Sequence, residues 1–472
     1  MIVHKFGGSS VGTGERITSV ARIITDLKQR SEQQPIVVVS AMSGVTDYLI
    51  RAATSAAEGD RSTFVDIRQA LAEKHREASL LCTTDPAEQA HLLEEQSELL
   101  DWFETLCGSI ATLGELTPRG LDAVSGLGER LSARLTAAAL RELGTAAQAI
   151  EATELIVTNG RFGAAVPIWD ETTPRVKERL IPLVLRGVVP VVTGFIGATS
   201  SGAPTTLGRG GSDYSASVLG RCLPADEVWI WSDVDGVMTA DPRVVSNAAT
   251  LPSVTYGEVS ELAFFGAKVL HPKTIQPVAD LGIPVRVLNS FAPHHPGTLV
   301  CQTPDETRLV KGITAIRDLS IVSVQGSGMM GVPGIAGRAF TAVARAGVSI
   351  LMITQSSSEQ SICFEIRRPD SPQVIEALEE EFQLEMMRRD VDRISARHDV
   401  AIVAVVGAGM LGRPGIASEV FSALAEREIN VISIAQGSSE YNLSLVVAQA
   451  DADEAVRAIH DRFQLGNGAS TR

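Results

Sequence analysis

The amino-acid sequence predicts an α/β protein, with a largely parallel sheet in its first part and two copies of a smaller βαββαβ unit after it. Short β-branched runs alternate with helical patterns up to about residue 300, which is typical of a parallel sheet with crossover helices. Beyond that point one pattern of glycine, proline and apolar residues recurs at an offset of 81 residues. The length of 472 residues is enough for about three domains.

Apolar runs predict the buried strands of the first part, and the regions between them predict helices. The region of about 60–118 carries helical patterns without a convincing strand, so it is predicted to be a helical insertion. Pro293, Pro296 and Gly297 indicate a boundary, and the first domain is therefore expected to span 1–298. Apolar residues at helical spacing predict a crossover helix through Ile17, Val20, Ile23, Ile24 and Leu27. The predicted strands are 2–6, 36–40, 188–193, 227–231 and 285–289.

The two repeated units are expected to span 306–398 and 399–472. Each reads as strand, Gly/Pro turn, helix, strand, strand and helix, and only the first continues into a fourth strand, near 391–396. The apolar segment 310–316 has no other predicted partner, so counting strands predicts that it completes the sheet of the second copy. The other predicted strands are 321–325, 348–354 and 362–366 in the first copy, and 402–406, 429–435 and 443–447 in the second.

Composition excludes several classes of protein. The 41 basic and 56 acidic side chains give a net charge of −15, which repels phosphate backbones and argues against nucleic-acid binding. The five cysteines are scattered and form no CxxC pair, so a disulfide framework is not expected and a reducing cytoplasm fits best. The opening MIVHKFGG does not resemble a signal peptide, and no uncharged stretch is apolar enough to predict a membrane span.

The strongest local motif is Lys5–Ser10, KFGGSS, between the first strand and the first helix. Glycines let the backbone approach a phosphate, a helix N-terminus attracts it, and Lys5 supplies a full positive charge. No GxxxxGK[ST] occurs, so this is not a P-loop of the Walker type. A tight turn with an exposed lysine is the structural alternative.

Two further segments favour the ligand-binding interpretation. The segment 205–214, TTLGRGGSDY, again places glycines and hydroxyls before a helix. Its Arg209 can bind a carboxylate through two parallel hydrogen bonds. Its alternative is a glycine-rich loop in which Asp213 only caps the helix. WSDVDGVMTADPR at 231–243 follows a strand, at the edge where α/β sheets bind ligands, although DxDG alone would suggest a turn.

Together these motifs resemble the aspartate kinases of the amino-acid kinase family, and the two C-terminal repeats resemble their tandem ACT domains. The motifs that carry the resemblance are KFGGSSVG (5–12), SAMSGVTD (40–47), GERLSA (128–133), TTLGRGGSDYSA (205–216), WSDVDGVMTADPR (231–243) and FGAKVLHP (265–272). The resemblance implies an αβα sandwich followed by two ferredoxin-like ACT domains. It also implies transfer of the γ-phosphate of ATP to the side-chain carboxylate of L-aspartate, the first step of lysine, threonine and methionine biosynthesis, with Mg²⁺ as cofactor.

The resemblance also implies roles for individual residues, none of them as a protein ligand of a metal. The catalytic residues would be Lys5 and Asp213. The substrate-binding residues would be Ser40, Thr46, Glu129, Arg209, Gly210, Gly211 and Ser212. The ATP-binding residues would be Lys5, Gly7, Gly8, Ser9, Ser232, Asp233, Met238, Asp241, Arg243 and Lys268.

Each repeat also contains GxGxxG after a strand and before a helix, at Gly326–Gly331 and Gly407–Gly412. We reject dinucleotide binding, because no acid ends the following strand to hold a ribose. A sensor for a small ligand fits better. The glycines and proline leave space at a helix N-terminus, which favours a carboxylate, and glutamines at the strand ends offer amide groups. The alternative is that these glycines only form packing turns. The expected effector residues are Met329, Gly331, Pro333, Gly334, Ile335, Ala336, Gln355 and Gln436.

The sequences of the repeats are most similar to the kinase part of bifunctional aspartate kinase–homoserine dehydrogenases. A dehydrogenase domain would need roughly 300 further residues. We therefore expect a kinase under feedback by threonine or, second, lysine, assembled as a homodimer or larger homo-oligomer through its ACT domains. Two alternatives remain open from the sequence. One is a related kinase with another acidic substrate, and the other is a catalytically silent amino-acid sensor.

Overall fold

The computed structural model describes residues 1–30, 34–267, 270–303, 308–355, 360–437 and 441–466. The chain divides into two compact units. The first comprises Met1–Val237, Pro252–Tyr256 and Val269–Asp305, and the second comprises Met238–Leu251, Gly257–Lys268 and Glu306–Arg472. Two segments that precede residue 298 in sequence thus belong to the second unit.

The first unit is built on an eight-stranded sheet, as far as the described residues show, in the order β3-β5-β2-β1-β8-β10-β11-β9. All neighbouring strands are parallel except β10 and β11. A small second sheet has the order β4-β6-β7. The strands are β1 (Ile2–Phe6), β2 (Pro35–Val39), β3 (Ala147–Ile150), β4 (Val157–Thr158), β5 (Val189–Thr193), β6 (Ile196–Thr199), β7 (Pro204–Thr206), β8 (Glu227–Ser232), β9 (Ser253–Thr255), β10 (Val285–Asn289) and β11 (Thr298–Cys301).

The central strands are buried on both faces, which explains their continuous apolar sequences. Every residue of β1, β2 and β5 is buried. The five strands predicted for this part of the chain all lie in this sheet, with ends shifted by at most one residue. The mainly parallel α/β class that the sequence predicts is therefore confirmed.

Helices cover the sheet, and two long ones, α3 and α4, occupy the predicted helical insertion. Asp60 caps α3 by accepting hydrogen bonds from the backbone of Ser62 and Thr63, and Asp85 caps α4. The helices up to residue 279 are α1 (Gly14–Arg30), α2 (Val45–Ala57), α3 (Arg61–Cys82), α4 (Pro86–Leu113), α5 (Pro118–Ser125), α6 (Leu127–Glu142), α7 (Trp169–Leu185), α8 (Gly211–Cys222), α9 (Tyr256–Phe264) and α10 (Pro272–Ala279).

The second unit is built on one antiparallel sheet whose described strands have the order β13-β14-β12-β15-β17-β16. Its strands are β12 (Gly312–Gln325), β13 (Met352–Gln355), β14 (Ser361–Arg367), β15 (Arg393–Val406), β16 (Ser433–Gln436) and β17 (Asn442–Ala448). Its helices after residue 330 are α11 (Ile335–Arg345), α12 (Ser371–Glu381), α13 (Gln383–Arg388), α14 (Ile416–Ala425) and α15 (Ala452–Arg462).

Two long strands, β12 and β15, each run through the sheets of both repeats at the centre of this sheet. β12 and β15 are each 14 residues long and pair antiparallel along most of their length. The start of β12, from Gly312 to Ile316, pairs with Ile402–Val406 of the second copy, which is the position that strand counting predicts for 310–316. The start of β15 pairs in turn with Val322–Gln325 of the first copy.

The strands predicted at 348–354 and 429–435 are shorter than predicted. The strands comprise Met352–Gln355 and Ser433–Gln436, and one further backbone hydrogen bond precedes each, from the amides of Leu351 and Ile432 to β14 and β17. Both are edge strands with a single partner, so the residues before them lack a second row of hydrogen bonds to hold them in the sheet.

None of the helices in the described part of the chain combines the length and the apolar character that crossing a membrane requires.

Candidate active site

A cavity of about 620 Å³ lies in the first unit, beyond the carboxyl ends of β1, β2 and β5. This edge is where parallel α/β sheets place ligands, because several loops converge there. The cavity contains all the catalytic and substrate-binding residues that the sequence predicts. Its lining includes Lys5, Gly8, Ser9, Ser40, Thr46, Glu129, Arg209, Gly210, Gly211, Ser212 and Asp213.

In the loop after β1, the backbone at Gly8 passes close to the backbone at Ala41. A Cβ added at Gly8 would lie 3.3 Å from the carbonyl oxygen of Ala41, and one at Gly7 would lie 3.3 Å from Lys5 Nζ. Gly7 accepts hydrogen bonds from the amides of Ser10 and Val11, which curls the loop before α1 begins. The glycines therefore make room for a group beside the lysine.

Lys5 and Asp213 form an ion pair, with 2.5 Å between Nζ and Oδ1. Both side chains are mostly buried, with exposed fractions of 11% and 16%. Asp213 lies in the first turn of α8, where the helix dipole favours a carboxylate. The pair fixes the ammonium group at the cavity wall.

The loop before α8 is shaped by glycines with positive φ. Gly208 has φ 80° and Gly210 has φ 70°, and a Cβ at Gly211 would lie 2.6 Å from the ring of Phe195. Phe195 itself has φ 67°, a conformation that is uncommon for a residue with a side chain. Its amide donates to the Ser215 hydroxyl, 3.0 Å away, which holds it there.

Asp122 supports this loop and was not singled out by the sequence. Its buried carboxylate accepts hydrogen bonds from the amide and hydroxyl of Thr206, both at 2.8 Å, and from the amide of Gly163. It thereby ties two loops to α5. The sequence offers no signal for this role, since its partners lie 41 and 84 residues away.

Glu129, on α6, is the most unusual group in the cavity. It is 3% exposed, and its Oε2 has no hydrogen-bond partner among the described residues. Burial raises the pKa of Glu129 to about 8, opposed by hydrogen bonding from the Ala41 backbone and by the charge of Lys5. A buried carboxylate with an open oxygen is suited to receive a cation.

Arg209 provides the opposite charge. It is exposed at the cavity and forms no ion pair with any described carboxylate. Thr46, in the first turn of α2, and Ser40, directly after β2, are half-buried in the cavity wall. The cavity thus offers an acid, a guanidinium and hydroxyls, a set that complements an amino acid with an acidic side chain.

The predicted nucleotide residues are only partly in this cavity. Gly8 and Ser9 line it, whereas Ser232 ends β8 and Asp233 follows it, and the Ser232 hydroxyl donates to the Asp233 carboxylate at 3.0 Å. Met238, Asp241 and Arg243 belong to the second unit. There the Asp241 and Arg243 side chains form an ion pair at 2.6 Å, which lowers the pKa of Asp241. Lys268 lies outside the described residues.

The second unit contains two small cavities at equivalent positions of the repeats. The first, of about 270 Å³, is lined by seven of the expected effector residues, Met329, Gly331, Pro333, Gly334, Ile335, Ala336 and Gln355. The second, of about 140 Å³, contains Gln436 together with Met410, Gly415, Ile416 and Ala417. Arg413 lines the second cavity at the place of Val332 in the first, a difference that the sequence analysis missed although the 81-residue offset aligns the two.

Comparison with known proteins assigns a family to each part of the sequence. The model of the amino acid kinase family matches residues 1–289, and the ACT domain model matches 322–382 and 403–463. The chain is 38% identical over 471 residues to a maize (Zea mays) chloroplastic bifunctional aspartokinase/homoserine dehydrogenase, covering 98% of this chain and 50% of the relative. It is 33% identical to chloroplastic aspartokinase 1 of Arabidopsis thaliana, covering 100% of this chain and 84% of the relative.

Among solved structures, E. coli aspartokinase III in complex with aspartate and ADP superimposes with a TM-score of 0.80 at 30% identity, covering 98% of this chain and 99% of the other. The same enzyme with lysine and aspartate gives a TM-score of 0.79 at 31% identity, with the same coverage. The fold defines a mainly parallel α/β domain followed in sequence by two ACT domains. The chain belongs to the amino acid kinase family and, within it, to the aspartokinases. It spans about half the length of the bifunctional relatives that it matches.

Proposed function

We propose that the protein is an aspartate kinase, which transfers the γ-phosphate of ATP to the side-chain carboxylate of L-aspartate and forms 4-phospho-L-aspartate. The observation that carries this proposal is that one cavity holds both the Lys5–Asp213 ion pair and the Glu129 carboxylate, whose Oε2 has no partner among the described residues. The lysine suits a phosphate, and Glu129 suits the ammonium group of an amino acid. Arg209 would hold its α-carboxylate.

Catalysis of this reaction depends on alignment and charge neutralisation. The attacking carboxylate is already ionised at pH 7, so no general base is needed. Two anions about 4 Å apart repel by about 4 kcal/mol per pair of unit charges at an effective dielectric constant near 20. Lys5 and the amides of the two glycine loops, at Gly7–Ser9 and Gly210–Ser212, would offset this repulsion.

Mg²⁺ would enter with the nucleotide. The described residues contain no cluster of three or more His, Cys, Asp or Glu side chains that could hold a metal, and magnesium in kinases is usually held by one or two carboxylates and the substrate phosphates. Of the predicted nucleotide residues, Asp233 offers an exposed carboxylate directly after β8. The ion would neutralise charge on the transferred phosphoryl group.

The ACT domains would make the activity subject to feedback by threonine or lysine. An amino acid could bind with its carboxylate at the start of α11 and its ammonium near Gln355, in the larger of the two cavities. Pairing of ACT domains across subunits would give a homodimer or larger assembly, and the free cysteines suit a reducing cytoplasm. The enzyme would then serve the first step of lysine, threonine and methionine biosynthesis.

The direct test is phosphorylation of L-aspartate by the purified protein with MgATP. Lys5→Ala should lower kcat at least a thousandfold, because the cation that faces the phosphate is lost, while circular dichroism shows a folded protein whose unfolding midpoint is lowered because Asp213 loses its ionic partner. Lys177→Ala, at an exposed lysine of α7, is the matched control and should keep full activity. Wild-type turnover in Lys5→Ala would exclude the assignment.

A substrate panel separates aspartate kinase from its alternatives. Glutamate, acetylglutamate and nucleotides should be poor acceptors, and Arg209→Ala should raise the KM for aspartate roughly tenfold to a hundredfold through loss of a charge-assisted contact. An unchanged KM would remove Arg209 from the site. A protein that binds amino acids and transfers no phosphate to any acceptor would instead be a silent sensor.

A further inference from the structure

A second cavity of about 620 Å³ in the first unit belongs to none of the functions above. It lies between one side of α1 and the loop that follows β10. Trp229, Trp231, Arg286 and Leu288 form its floor, and four arginines and one aspartate are its charged lining. We call it the α1 groove, and it is lined by Arg16, Ser19, Arg22, Ile23, Asp26, Leu27, Arg30, Trp229, Trp231, Arg286, Leu288, Ser290, Phe291, Pro293, His294, His295 and Pro296.

The α1 groove and the candidate active site lie on opposite faces of the sheet. Side chains alternate between the faces along a strand, so the residues of β1 divide between them. Phe6 stacks on Trp231 of the groove floor, with 5.5 Å between ring centroids and an angle of 9°. Lys5, the residue before it, points to the other face, where it meets Asp213 of α8. A ligand in the groove therefore would not reach the lysine.

Arg16 lies in the groove without a carboxylate partner among the described residues. It lies in the first turn of α1, the end of a helix that disfavours a cation. It is half-buried, and burial lowers its pKa. Its Nη2 donates only to the carbonyl and hydroxyl oxygens of Ser290, at 3.2 and 3.1 Å, and its buried Nε has no partner among the described residues.

The other cations of the groove differ in how far they are neutralised. Arg286 donates to the Glu227 carboxylate at 3.1 and 3.2 Å, and Arg30 lies 3.7 Å from Asp26. Arg22 is exposed and, like Arg16, has no carboxylate partner within the described residues. In a chain with a net charge of −15, two unpaired guanidinium groups on the same helix mark a local site for an anion.

Aromatic rings add a flat apolar surface beside these charges. The guanidinium of Arg16 stacks over the ring of Phe291, 3.5 Å from its centroid, and this phenylalanine is 53% exposed. The indole nitrogen of Trp229 donates to Glu227 at 2.6 Å, so its polar edge is satisfied and the half-buried ring remains for contact. Rings and guanidinium planes together suit a planar ligand.

We propose that the α1 groove is a binding site for a small organic anion that carries a planar ring. The anionic group binds Arg16 and Arg22, and the ring packs against Phe291 and Trp229. A nucleoside phosphate and an aromatic carboxylate share this chemistry, and direct binding measurements distinguish them. The site does not depend on the proposed kinase activity, since no residue of the candidate active site contributes to it.

The test is isothermal titration calorimetry of the full-length protein with AMP and with phenylpyruvate as probes. One of the two should bind with a dissociation constant below about 1 mM, and ribose 5-phosphate and adenosine, which lack the ring or the charge, should bind at least about tenfold more weakly. Arg16→Gln and Arg22→Gln should each weaken the binding of that probe roughly tenfold to a hundredfold. Arg22 is exposed, so its variant preserves the fold even where the Arg16 variant does not.

Two controls separate this site from the kinase cavity. Arg175→Gln, at an exposed arginine of α7, and Lys5→Ala should both leave the affinity unchanged. The proposal is overturned if neither probe binds, if ribose 5-phosphate or adenosine binds as tightly as the probe that binds, or if Arg22→Gln has no effect. Binding that disappears in Lys5→Ala would also overturn it, whereas loss of kinase activity in that variant bears only on the proposed function.

Discussion

At the scale of single residues, Glu129 connects the electrostatics of the candidate active site to a measurable pH dependence. Burial holds its pKa at about 8, so the side chain is mostly protonated at neutral pH in the absence of substrate. An incoming ammonium group favours the ionised form. Binding of aspartate must therefore release a proton wherever the pH lies below the pKa of the free protein.

We predict that the KM for aspartate falls as the pH rises from 6 to 8, by at most about tenfold per pH unit, the limit for one released proton. The direction follows from the raised pKa, because deprotonating Glu129 becomes easier as the pH approaches 8 and costs nothing beyond it. Steady-state kinetics at saturating MgATP would measure the effect. Glu129→Gln keeps the shape and cannot ionise, so its KM should be high and should not vary with pH over this range.

Glu154→Gln is a suitable control, because this exposed glutamate should leave the pH profile of the wild type intact. A wild-type KM that is constant between pH 6 and 8, or a Glu129→Gln variant with the wild-type profile, would contradict the assignment of the ammonium group to Glu129.

Residues of the cavity differ in how well the sequence predicts them. Lys5, Arg209 and Asp213 belong to motifs in which glycines and a helix start indicate a ligand, and the structure brings all three to one cavity. Asp122 and Phe195 could not be predicted in this way. Asp122 acts through loops distant in sequence, and the unusual φ of Phe195 depends on tertiary contacts that no local pattern records.

At the scale of secondary-structure elements, the two long strands β12 and β15 explain why each repeat carries the glycines of a GxGxxG pattern. A Cβ at Gly326 would lie 2.1 Å from the carbonyl oxygen of Asp390, and one at Gly407 would lie 2.3 Å from that of Leu309. Asp390 and Leu309 are themselves 81 residues apart. Each glycine therefore packs against the segment that leads into one of the two long strands, β15 for Gly326 and β12 for Gly407.

We predict that Gly407→Ala destabilises the second unit by about 1–3 kcal/mol, because the added methyl group must displace main chain. Gly337→Ala is the matched control. Gly337 lies in α11 with no neighbour within 4 Å of an added Cβ, so its variant should be stabilised by roughly 0.5–1 kcal/mol. Urea unfolding followed by hydrogen exchange in β17 would measure both. Equal stability of the two variants would mean that the close approach at Gly407 is not required.

The sequence predicts which elements exist better than it predicts where they end. The alternation of apolar runs and helical patterns predicts the strands of the parallel sheet, since burial on both faces leaves a strong signal. The 81-residue repeat likewise reveals two related units. The starts of β13 and β16 could not be placed, because they depend on which residues find a hydrogen-bond partner at a sheet edge.

At the scale of the whole molecule, the second unit contains a segment that the sequence assigns to nucleotide binding. Met238–Leu251 carries Met238, Asp241 and Arg243, and its Ala240, Val245 and Ala248 share one apolar core with α14 and α15 of the second repeat. No sequence pattern indicates this arrangement, because the segment and the repeat are separated by about 160 residues. A change in the packing of the second repeat must therefore also affect the segment.

One buried hydrogen bond joins this segment to the second repeat. The Thr239 hydroxyl and His460 Nε2 are 3.0 Å apart in a buried position, and burial lowers the pKa of His460, so the neutral imidazole is retained at pH 7. We predict that saturating threonine or lysine, whichever inhibits, slows amide hydrogen exchange in 238–251, and that Thr239→Val reduces this protection at least severalfold because the bond is lost. Exchange in β6 and β7 is the internal control and should not change with the effector. If the effector protects only 327–336 and 408–417, and not 238–251, the shared core does not transmit the effect of binding. If Thr239→Val shows the same protection as the wild type, the core transmits the effect without this hydrogen bond.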